Sequence, residues 1–532
     1  MQRLFSEALT RVAGAGLNHL SRPLTFPAAF QGTVFQGEEA ARRASLVSGP
    51  FSASPAAYVI PSGVEGLATL VRWSWSEGIP LIPRGGGTGM PGGNLGPFIV
   101  VEMDGIGRAA AMLSPEEGRI QADAGAIASD VERLARTHGR FLPFLPSSAR
   151  WCQMGGIVAN NGAGARSFRY GSVAASLLRI EGFFAWGEPF QVGADLPVPD
   201  EFRRIEDGLR ENPGAALPGW PKLRKNSSGY ALDRYLAAGD PAQLLAGSEG
   251  TLAIITRVEL RALPLPPARG LAVLAAGSSE ELTRIALGAE ALGTVTCEFL
   301  GRRFLEMADV GSDPEVGALA EGAYALVLLE TCGSEEEVEA GLAGALRLGE
   351  SAGRGAVVAR EPDTVARLWG LRHAAGPMIA REAGRGRIST QFIEDSVVPP
   401  ERLGAYLDGL DEILAAHRFD ALVFGHAGDG NVHVNPLVDV GSSDWEARVR
   451  GTLDEVVELV ASLGGTLSGE HGDGRLRAPF LSQIWAPPLV EAFRRVKDAL
   501  DPRGILNPGV VIPRAGQDPL EGLTPRPRSY PI

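Results

Sequence analysis

The chain has 532 residues, of which 45% are hydrophobic and 21% charged, and its formal net charge at pH 7 is −13. The apolar share excludes a disordered chain, and the length indicates two or more domains. The negative charge argues against nucleic-acid binding, because neutralising phosphates requires clustered Lys and Arg. The cysteines form no CxxC pair and no uncharged apolar run reaches about 18 residues, so neither a metal–thiolate site nor a transmembrane helix is expected. We therefore expect a cytoplasmic protein.

Short strands and helices alternate along the first half of the chain. The first 50 residues are predicted to form an amphipathic helix at 1–14 and then loops. The next elements are expected at 58–60 (strand), 64–77 (helix), 80–83 (strand), 98–103 (strand) and 258–261 (strand). The proline-rich run 264–267 should break regular structure and mark a domain boundary.

The second half has the pattern of an α+β domain. Strands are expected at 271–275, 324–330 and 421–424, and helices at 279–292, 335–351 and 445–463. The tail 500–532 is rich in proline and is expected to pack back on the body of the protein.

Glycine is the compositional anomaly, with 69 residues in the chain, roughly twice the usual share of about 7%. Residues 85–96 form its densest cluster and contain a formal GxGxxG at Gly87, Gly89 and Gly92. Pro91 and an early strand replace the helix that a dinucleotide-binding fold needs, and the absence of any Gly-Lys pair excludes a P-loop. Such a segment can direct several N–H groups at one anion, although a flexible surface loop has the same composition.

Two further clusters consist of small residues. Residues 146–148 with 155–164 suit either a large flat ligand against the backbone or a buried turn. Residues 248–252 are a shorter case without a diagnostic pattern.

Three of the seven histidines lie in two glycine-rich segments, at 425–435 and 468–474. His426 and His433 flank a glycine turn, and a carboxylate from the second segment would complete a divalent-metal site with open positions. The alternative is a set of histidines satisfied in turns. Arg372 lies on a predicted helix, where it can pair with an acid or clamp a substrate carboxylate. Glu394 and Asp395 are interpreted as ordinary loop acids.

Taken together, these segments resemble the FAD-linked oxidases of vanillyl-alcohol oxidase (PCMH) type. Residues 83–93 are similar to the family's pyrophosphate loop, and 146–148, 155–164, 169–171 and 248–251 to its other FAD-contact motifs. Residues 425–435, 468–474 and 501–509 resemble the branch of D-lactate and D-2-hydroxyglutarate dehydrogenases. The resemblance spans about residues 50–512. It implies an α+β fold with a two-part FAD-binding domain at 1–266 (core about 50–266), a substrate or cap domain at 267–475 and a C-terminal segment at 476–532 that packs on the FAD domain.

The resemblance also implies residue roles. FAD would be bound without a covalent link, because 84–93 contains no His or Cys. Its contacts would be Arg84, Gly85, Gly86, Gly87, Thr88, Gly89, Gly92, Gly93, Pro146, Ser147, Ser148, Gly155, Gly156, Asn160, Gly162, Gly164, Tyr170, Gly171, Glu249, Gly250, Thr251 and Asn507. His426, His433 and Glu470 would hold a divalent metal, zinc or manganese. His471 would be the general base, Arg372 would bind the substrate carboxylate and Asn435 would add a polar contact.

The implied reaction is FAD-dependent oxidation of a D-2-hydroxy acid such as D-lactate or D-2-hydroxyglutarate to the 2-oxo acid, with hydride passing to flavin N5. Gly376 and Ile393 stand where the glutarate-type pattern has a threonine and a lysine, which favours a smaller or less acidic substrate. Residues 392–395 and 472–477 resemble a long bacterial subgroup whose members often carry an additional iron–sulfur half, which the few cysteines argue against here. Electrons would then pass to a quinone, a carrier protein or oxygen. A peripheral membrane contact and a homo-oligomer are compatible with this interpretation.

Two other functions fit parts of the sequence. A flavin-binding accessory subunit without turnover would share the glycine segments. A metal hydrolase without flavin would use His426, His433 and Glu470 but would leave residues 84–93 and 155–164 unexplained.

Overall fold

The computed structural model describes residues 24–210, 219–308, 310 and 314–524. The predicted helix at 1–14 and the last part of the tail lie outside these ranges. In the described part of the chain, no helix has the length and apolar character that crossing a membrane requires.

The strands form four sheets. They are β1 Gly32–Phe35, β2 Ala57–Pro61, β3 Leu81–Arg84, β4 Ile99–Glu102, β5 Ala110–Ser114, β6 Arg119–Asp123, β7 Arg140–Phe141, β8 Leu177–Phe183, β9 Pro189–Gly193, β10 Ile254–Arg261, β11 Leu263–Pro264, β12 Ala268–Ala276, β13 Thr296–Gly301, β14 Ala325–Gly333, β15 Ala356–Ala359, β16 Arg387–Ser389, β17 Ser396–Val397, β18 Asp420–His426 and β19 Asn431–Asp439.

The helices cover the sheets and connect them. They are α1 Gly37–Ala44, α2 Gly63–Glu77, α3 Ala128–Thr137, α4 Met154–Ala159, α5 Ser167–Tyr170, α6 Asp200–Arg210, α7 Leu232–Ala238, α8 Pro241–Leu245, α9 Ser279–Ala289, α10 Arg302–Met307, α11 Pro314–Ala320, α12 Glu335–Ser351, α13 Pro362–His373, α14 Ala375–Ala383, α15 Leu403–Ala416, α16 Trp445–Ser462, α17 Gly474–Arg477, α18 Leu481–Ile484 and α19 Pro487–Leu500.

The first half contains two larger sheets, which share one hydrophobic core, and the two-stranded sheet of β7 and β11. The first has the order β1-β2-β4-β3, and β4 runs parallel to both β2 and β3. The second is antiparallel in the order β5-β6-β10-β8-β9. Helix α2 buries Leu67, Leu70, Val71 and Ser74, the spacing of one helical face, and ends at Gly78 in the left-handed conformation (φ 68°). The predicted helix at 64–77 is thereby confirmed.

The second half is built on one large antiparallel sheet in the order β15-β12-β14-β13-β18-β19-β16, with β17 also paired to β19. One face packs against α9, α12, α15 and α16, and the other against α10, α11, α13 and α14. Helix α12 begins with a capping box between Ser334 and Glu337, and its bounds match the prediction. These sheets and helices confirm the α+β class.

Two sequence predictions need correction, one at the junction of the two halves and one in the helix that follows β12. Residues 264–267 do not wholly interrupt regular structure, because Leu263–Pro264 pairs with Arg140–Phe141. Only three residues then separate β11 from β12. The helix predicted at 279–292 ends at Ala289, and residues 290–292 continue as one 3₁₀ turn before Gly293 in the left-handed conformation.

The segment after α19 returns to the first sheet. The N–H of Leu81 donates to the carbonyl of Ile505 (2.8 Å), and the N–H of Asn507 donates to the carbonyl of Leu81 (2.8 Å). Ile505, Leu506, Val510 and Val511 are buried in the core of the first half. The C-terminal segment therefore extends the sheet beside β3, next to the glycine loop that follows this strand.

Candidate active site

The glycine loop connects β3 to β4, two parallel strands that are usually joined through a helix. None of the N–H groups of residues 86–90 donates to an acceptor in the described part of the chain. The buried Oε1 of Gln153 also has no partner there, and it lies 3.4 Å from the position of a Cβ at Gly85. Unpaired backbone donors that converge in one loop are suited to an anion such as a diphosphate. The loop therefore fits the pyrophosphate of FAD.

Several predicted cofactor glycines are explained by the protein itself. A Cβ at Gly86 would overlap the carbonyl oxygen of Trp151, and one at Gly164 would overlap that of Leu145. A Cβ at Gly155 would stand 2.5 Å from the Cβ of Ala124. Gly156 is the contrast, because nothing lies within 4 Å of its Cβ position. The bare face of α4 at Gly156 is thus open to a ligand.

The other predicted cofactor residues tie the loops together. The Arg84 guanidinium donates to the carbonyls of Arg43, Ala44 and Leu46, so its side chain braces the end of α1. Asn507 Nδ2 donates to the carbonyls of Gly93 and Glu249, both at 2.9 Å. Gly87 and Gly92, two more of the predicted residues, have φ of 71° and 76°. The N–H of Gly162 donates to the carbonyl of Ile157, and Gly250 faces Pro83.

The remaining residues of this group occupy turns. Pro146 and Ser148 accept hydrogen bonds in the turn before α4, and Ser147 is exposed. Tyr170 packs edge-on against Phe141, followed by Gly171 with φ 75°. Thr251 is buried and hydrogen-bonded to the Tyr230 hydroxyl (2.8 Å). Gly85, Thr88, Gly89 and Gly93 belong to the glycine loop between β3 and β4.

Glu249 joins the two halves of the protein. Its carboxylate accepts the N–H groups of Asp473 (2.6 Å) and Gly474 (3.0 Å). Burial, followed by the neighbouring Asp473 carboxylate, raises the pKa of Glu249 to about 8. On the other side, Asn160 Nδ2 donates to the carbonyl of His471 (2.8 Å). The predicted cofactor segments therefore contact the chain that carries His471.

His426, His433 and Glu470 meet in a compact triangle. His426 Nε2 and His433 Nε2 each lie 3.3 Å from Glu470 Oε1 and 3.2 Å from one another. His426 ends β18 and His433 lies in β19, where their strands are paired, while Glu470 arrives on the loop after α16. All three are buried.

The hydrogen bonds around this triangle fix the histidine tautomers. His426 Nδ1 faces the Glu298 carboxylate (2.5 Å), and His433 Nδ1 faces the Glu394 main-chain carbonyl (3.0 Å). Both Nδ1 atoms must therefore donate, which leaves two Nε2 lone pairs directed at each other and at Glu470. When both imidazoles are neutral, these three buried acceptors repel one another. Burial lowers the pKa of His433, but Glu394 and Glu470 outweigh burial and raise it, and a metal cation between the three acceptors would relieve the same repulsion. The donor set of two imidazole nitrogens and one carboxylate oxygen fits zinc or manganese.

Lys225 is the buried partner of Glu470. Its Nζ lies 2.5 Å from Glu470 Oε2, so only Oε1 faces the two histidines. Burial tends to raise the pKa of Glu470, but Lys225 and His426 outweigh it and hold the pKa well below its usual range. Glu470 is thus an ionised carboxylate with one oxygen available for a cation.

His471 lies beside the triangle and is held by Glu394. Its Nδ1 lies 2.8 Å from both Glu394 oxygens, and Arg477 Nη2 donates to the same carboxylate (2.6 Å). His471 Nε2 lies 3.6 Å from Glu470 Oε1. This pairing directs Nδ1–H at Glu394 and leaves Nε2 as the reactive nitrogen, as in a histidine–carboxylate pair of a catalytic triad.

The charge on His471 depends on its neighbours. Burial lowers the pKa of His471, but the Glu394 and Asp395 carboxylates outweigh burial and raise it to about 9. A protonated ring cannot accept a proton. A base role therefore requires an opposing positive charge, which a divalent cation at the adjacent triangle would supply.

Asp395 organises the loop that carries Glu470 and His471. Its Oδ2 accepts the Ser468 hydroxyl (2.9 Å) and the N–H groups of Glu470 (3.1 Å) and His471 (2.9 Å). Its Oδ1 accepts from Asn431 Nδ2 (3.0 Å). The interpretation of Glu394 and Asp395 as ordinary loop acids is therefore wrong: both are buried and hold the site.

Arg372 and Asn435 lie on the same face of the large sheet. Arg372 Nε donates to Glu298 Oε2 (2.9 Å), and its guanidinium lies over Phe424. The sequence left open whether Arg372 pairs with an acid, and in the structure it pairs with Glu298. Glu298 also links Arg372 to His426. Asn435 Oδ1 accepts from Ser389 and Gln391. Gly376 is exposed with nothing near its Cβ position, and Ile393 is buried.

Sequence reasoning overlooked Glu298, Lys225 and Arg477 in this cluster, and it misread Glu394 and Asp395 as loop acids. The sequence signal for Glu298 is that an acid stands within an apolar strand. The signal for Lys225 is that the chain has only three lysines. Arg477 follows a glycine motif and Asp395 follows Phe392, but nothing in the sequence around either residue indicates that it is buried. Spacing along the chain could not show that these residues meet.

Two family models match the chain. The one described as "FAD binding domain" matches residues 55–193, and "FAD linked oxidases, C-terminal domain" matches 266–511. These domains define a FAD-linked oxidoreductase. The chain therefore contains a FAD-binding domain and the C-terminal domain of FAD-linked oxidases.

Two curated relatives are similar to this chain over most of its length. The chain is 28% identical to D-2-hydroxyglutarate dehydrogenase of Escherichia coli over 498 residues, covering 87% of this chain but 49% of that protein. It is 28% identical to D-lactate dehydrogenase of Archaeoglobus fulgidus, covering 87% of this chain and 93% of the relative. The chain thus spans about half the length of the E. coli protein.

Structural similarity concerns the fold alone. The 4-ethylphenol oxidase of Gulosibacter chungangensis has a TM-score of 0.64 at 16% identity, over 97% of this chain and 98% of that one. An alkyldihydroxyacetonephosphate synthase has a TM-score of 0.60 at 15% identity, over 85% of this chain and 77% of the other. Both support the predicted FAD-binding architecture of PCMH type.

Proposed function

We propose that the protein oxidises a D-2-hydroxy acid to the corresponding 2-oxo acid with non-covalent FAD and a divalent metal. The observation that carries this proposal is the contact between a three-ligand cluster, a histidine–carboxylate pair and the segments that fit FAD. His426, His433 and Glu470 form the cluster, and His471 adjoins both it and Asn160. The names of the relatives supply the substrate class.

Bound FAD would supply the two-electron oxidant, and a bound zinc or manganese ion a Lewis acid. The residues of the chain provide the rest. Glu394 orients His471 so that Nε2 can take the hydroxyl proton. Arg372 uses Nε for Glu298, and its outer nitrogens form no hydrogen bond within the described residues. They can therefore bind a substrate carboxylate, and Asn435 lies on the same sheet face.

The division of labour along the chain belongs to this proposal. Residues 1–266 would bind FAD, 267–475 would bind substrate and metal, and 476–532 would pack on the FAD domain. Electrons would leave to an external acceptor, either a quinone, a carrier protein or oxygen. The two residues at 376 and 393 favour a smaller or less acidic substrate than a glutarate.

Anaerobic titration of the purified holoprotein tests the proposal. The visible flavin bands should bleach with one D-2-hydroxy acid of a panel and persist with its L enantiomer. Removal of the metal with a chelator should abolish bleaching while the flavin bands remain. A protein without flavin bands, or a flavin that no 2-hydroxy acid bleaches, would contradict the proposed function.

A further inference from the structure

Arg475 connects the segment of the proposed base to the glycine loop. It lies in α17, four residues after His471. Its Nη1 donates to the carbonyls of Gly92 (2.9 Å) and Gly93 (3.4 Å). Its Nη2 donates to Asn507 Oδ1 (2.9 Å) and to the Pro508 carbonyl (3.3 Å). All of these acceptors are neutral.

Arg475 has no counter-ion in the described part of the chain. Its Nε is buried and without a hydrogen-bond partner. Two acids act on Arg475 through space, but neither forms an ion pair with it: Glu249 accepts the N–H groups of Asp473 and Gly474, and Glu521 pairs with Arg514. Burial, and then the charge of Arg514, lowers the pKa of Arg475 to about 9. A buried cation without an anion is costly, so this position calls for a negative charge from outside the chain.

The glycine loop is bordered by a second arginine, Arg84, which is also buried and hydrogen-bonded to neutral acceptors. Arg84 precedes the loop and binds only main-chain carbonyls, and its guanidinium reaches the Cβ position of Gly87. The N–H groups of residues 86–90 between these two arginines donate to no described acceptor. Two cations and a row of free N–H groups therefore border one loop, and a diphosphate carries the charge that they lack.

We propose that Arg475 supplies positive charge to the FAD diphosphate, from the half of the chain that holds the metal ligands and the base. This inference rests on the FAD-binding part of the proposed function. It makes Arg475 a positioning and charge-compensating residue for the cofactor. Because Pro91 also accepts the N–H groups of Arg475 and Leu476, cofactor binding and the placement of the 470–477 segment depend on the same contacts.

The test compares a charged and a neutral flavin. The full-length holoprotein is stripped of flavin, and reloading with FAD must restore the native visible spectrum. Dissociation constants are then measured for FAD and for riboflavin, which lacks the diphosphate. The variants are Arg475→Gln, which keeps a donor for the Gly92 carbonyl, Arg475→Met and Arg475→Lys. Arg140→Met is the control, because Arg140 also binds main-chain carbonyls, those of Pro115, Glu116 and Ala262.

We expect Arg475→Gln and Arg475→Met to weaken FAD binding by about ten- to a hundredfold and riboflavin binding less than twofold. Arg475→Lys should keep the ratio of the two affinities, and Arg140→Met should leave both unchanged. Equal losses for FAD and riboflavin, or no loss for either, would overturn the inference, because Arg475 would then only brace the loop. If the harsher Met variant does not fold, the Gln and Lys variants decide the same question. A wild-type chain that binds no FAD would instead overturn the proposed function.

Discussion

Two adjacent glycines in α4 give opposite predictions for the same substitution. Gly156→Ala places a Cβ in open space, whereas Gly155→Ala places one 2.5 Å from the Ala124 Cβ and 3.1 Å from its Cα. Neither glycine has a positive φ. Alanine in a helix is favoured over glycine by about 0.5–1 kcal/mol. Gly156→Ala should therefore fold at least as well as the wild type, and Gly155→Ala should be destabilised.

The FAD affinity of the Gly156→Ala variant then tests whether the flavin occupies the open face of α4. If the flavin packs against Gly156, the added methyl group overpacks the contact at a cost of about 1–3 kcal/mol, which weakens FAD binding roughly 5- to 150-fold. Thermal unfolding of the flavin-free chain gives the stability of each variant, and flavin fluorescence gives the dissociation constant. An unchanged FAD affinity in a stable Gly156→Ala protein would refute the placement of the flavin along α4.

Three further predictions concern the metal, the base and the junction between the halves. His471→Gln should keep the flavin absorbance but lose about a hundredfold or more in turnover, whereas His417→Gln, at an exposed ion pair with Glu455, should be fully active; comparable rates for the two would dismiss His471 as the base. Asp395→Asn replaces the oxygen that accepts the N–H groups of Glu470 and His471, so metal content measured by mass spectrometry should fall while FAD remains bound, and full metal content would speak against its positioning role. Because the pKa of Glu249 is raised to about 8, its ionisation should make the wild type less stable as the pH rises from about 4.5 to 8. Glu249→Gln should flatten the pH dependence of thermal unfolding in that interval, and an identical slope in both proteins would contradict the buried-carboxyl assignment.

The sequence was sufficient for elements whose pattern is local. The spacing of apolar residues in α2 and the Ser334–Glu337 pair at α12 set the bounds of both helices. Composition suggests that the concentrated glycines all make room for a cofactor, but this is not the reason at every position. At Gly86 and Gly164 it is the protein's own backbone that approaches, and only the surroundings of each glycine distinguish these from Gly156.

The interior of the candidate site was beyond sequence reasoning because its contacts are not local. Lys225 and Glu470 lie 245 positions apart, and Glu298 and His426 lie 128 apart. A buried acid is identical in sequence to an exposed one, so Asp395 resembles a loop residue until the five residues that hydrogen-bond its carboxylate are placed around it. Three-dimensional proximity alone separates a solvated acid from one that fixes a catalytic loop.

The charges of the site support the same conclusion as its geometry. The cluster linked to the three histidines contains four carboxylates and three cations: Glu298, Glu394, Asp395 and Glu470, with Lys225, Arg372 and Arg477. With the three imidazoles neutral, as the proposed metal and base roles require, the cluster carries a single negative charge. A divalent cation reverses that sign, and a substrate with one carboxylate then makes the occupied site neutral. Because uncompensated charge is costly in a buried environment, the proposed function would be best served by a metal ion together with a monoanionic hydroxy acid.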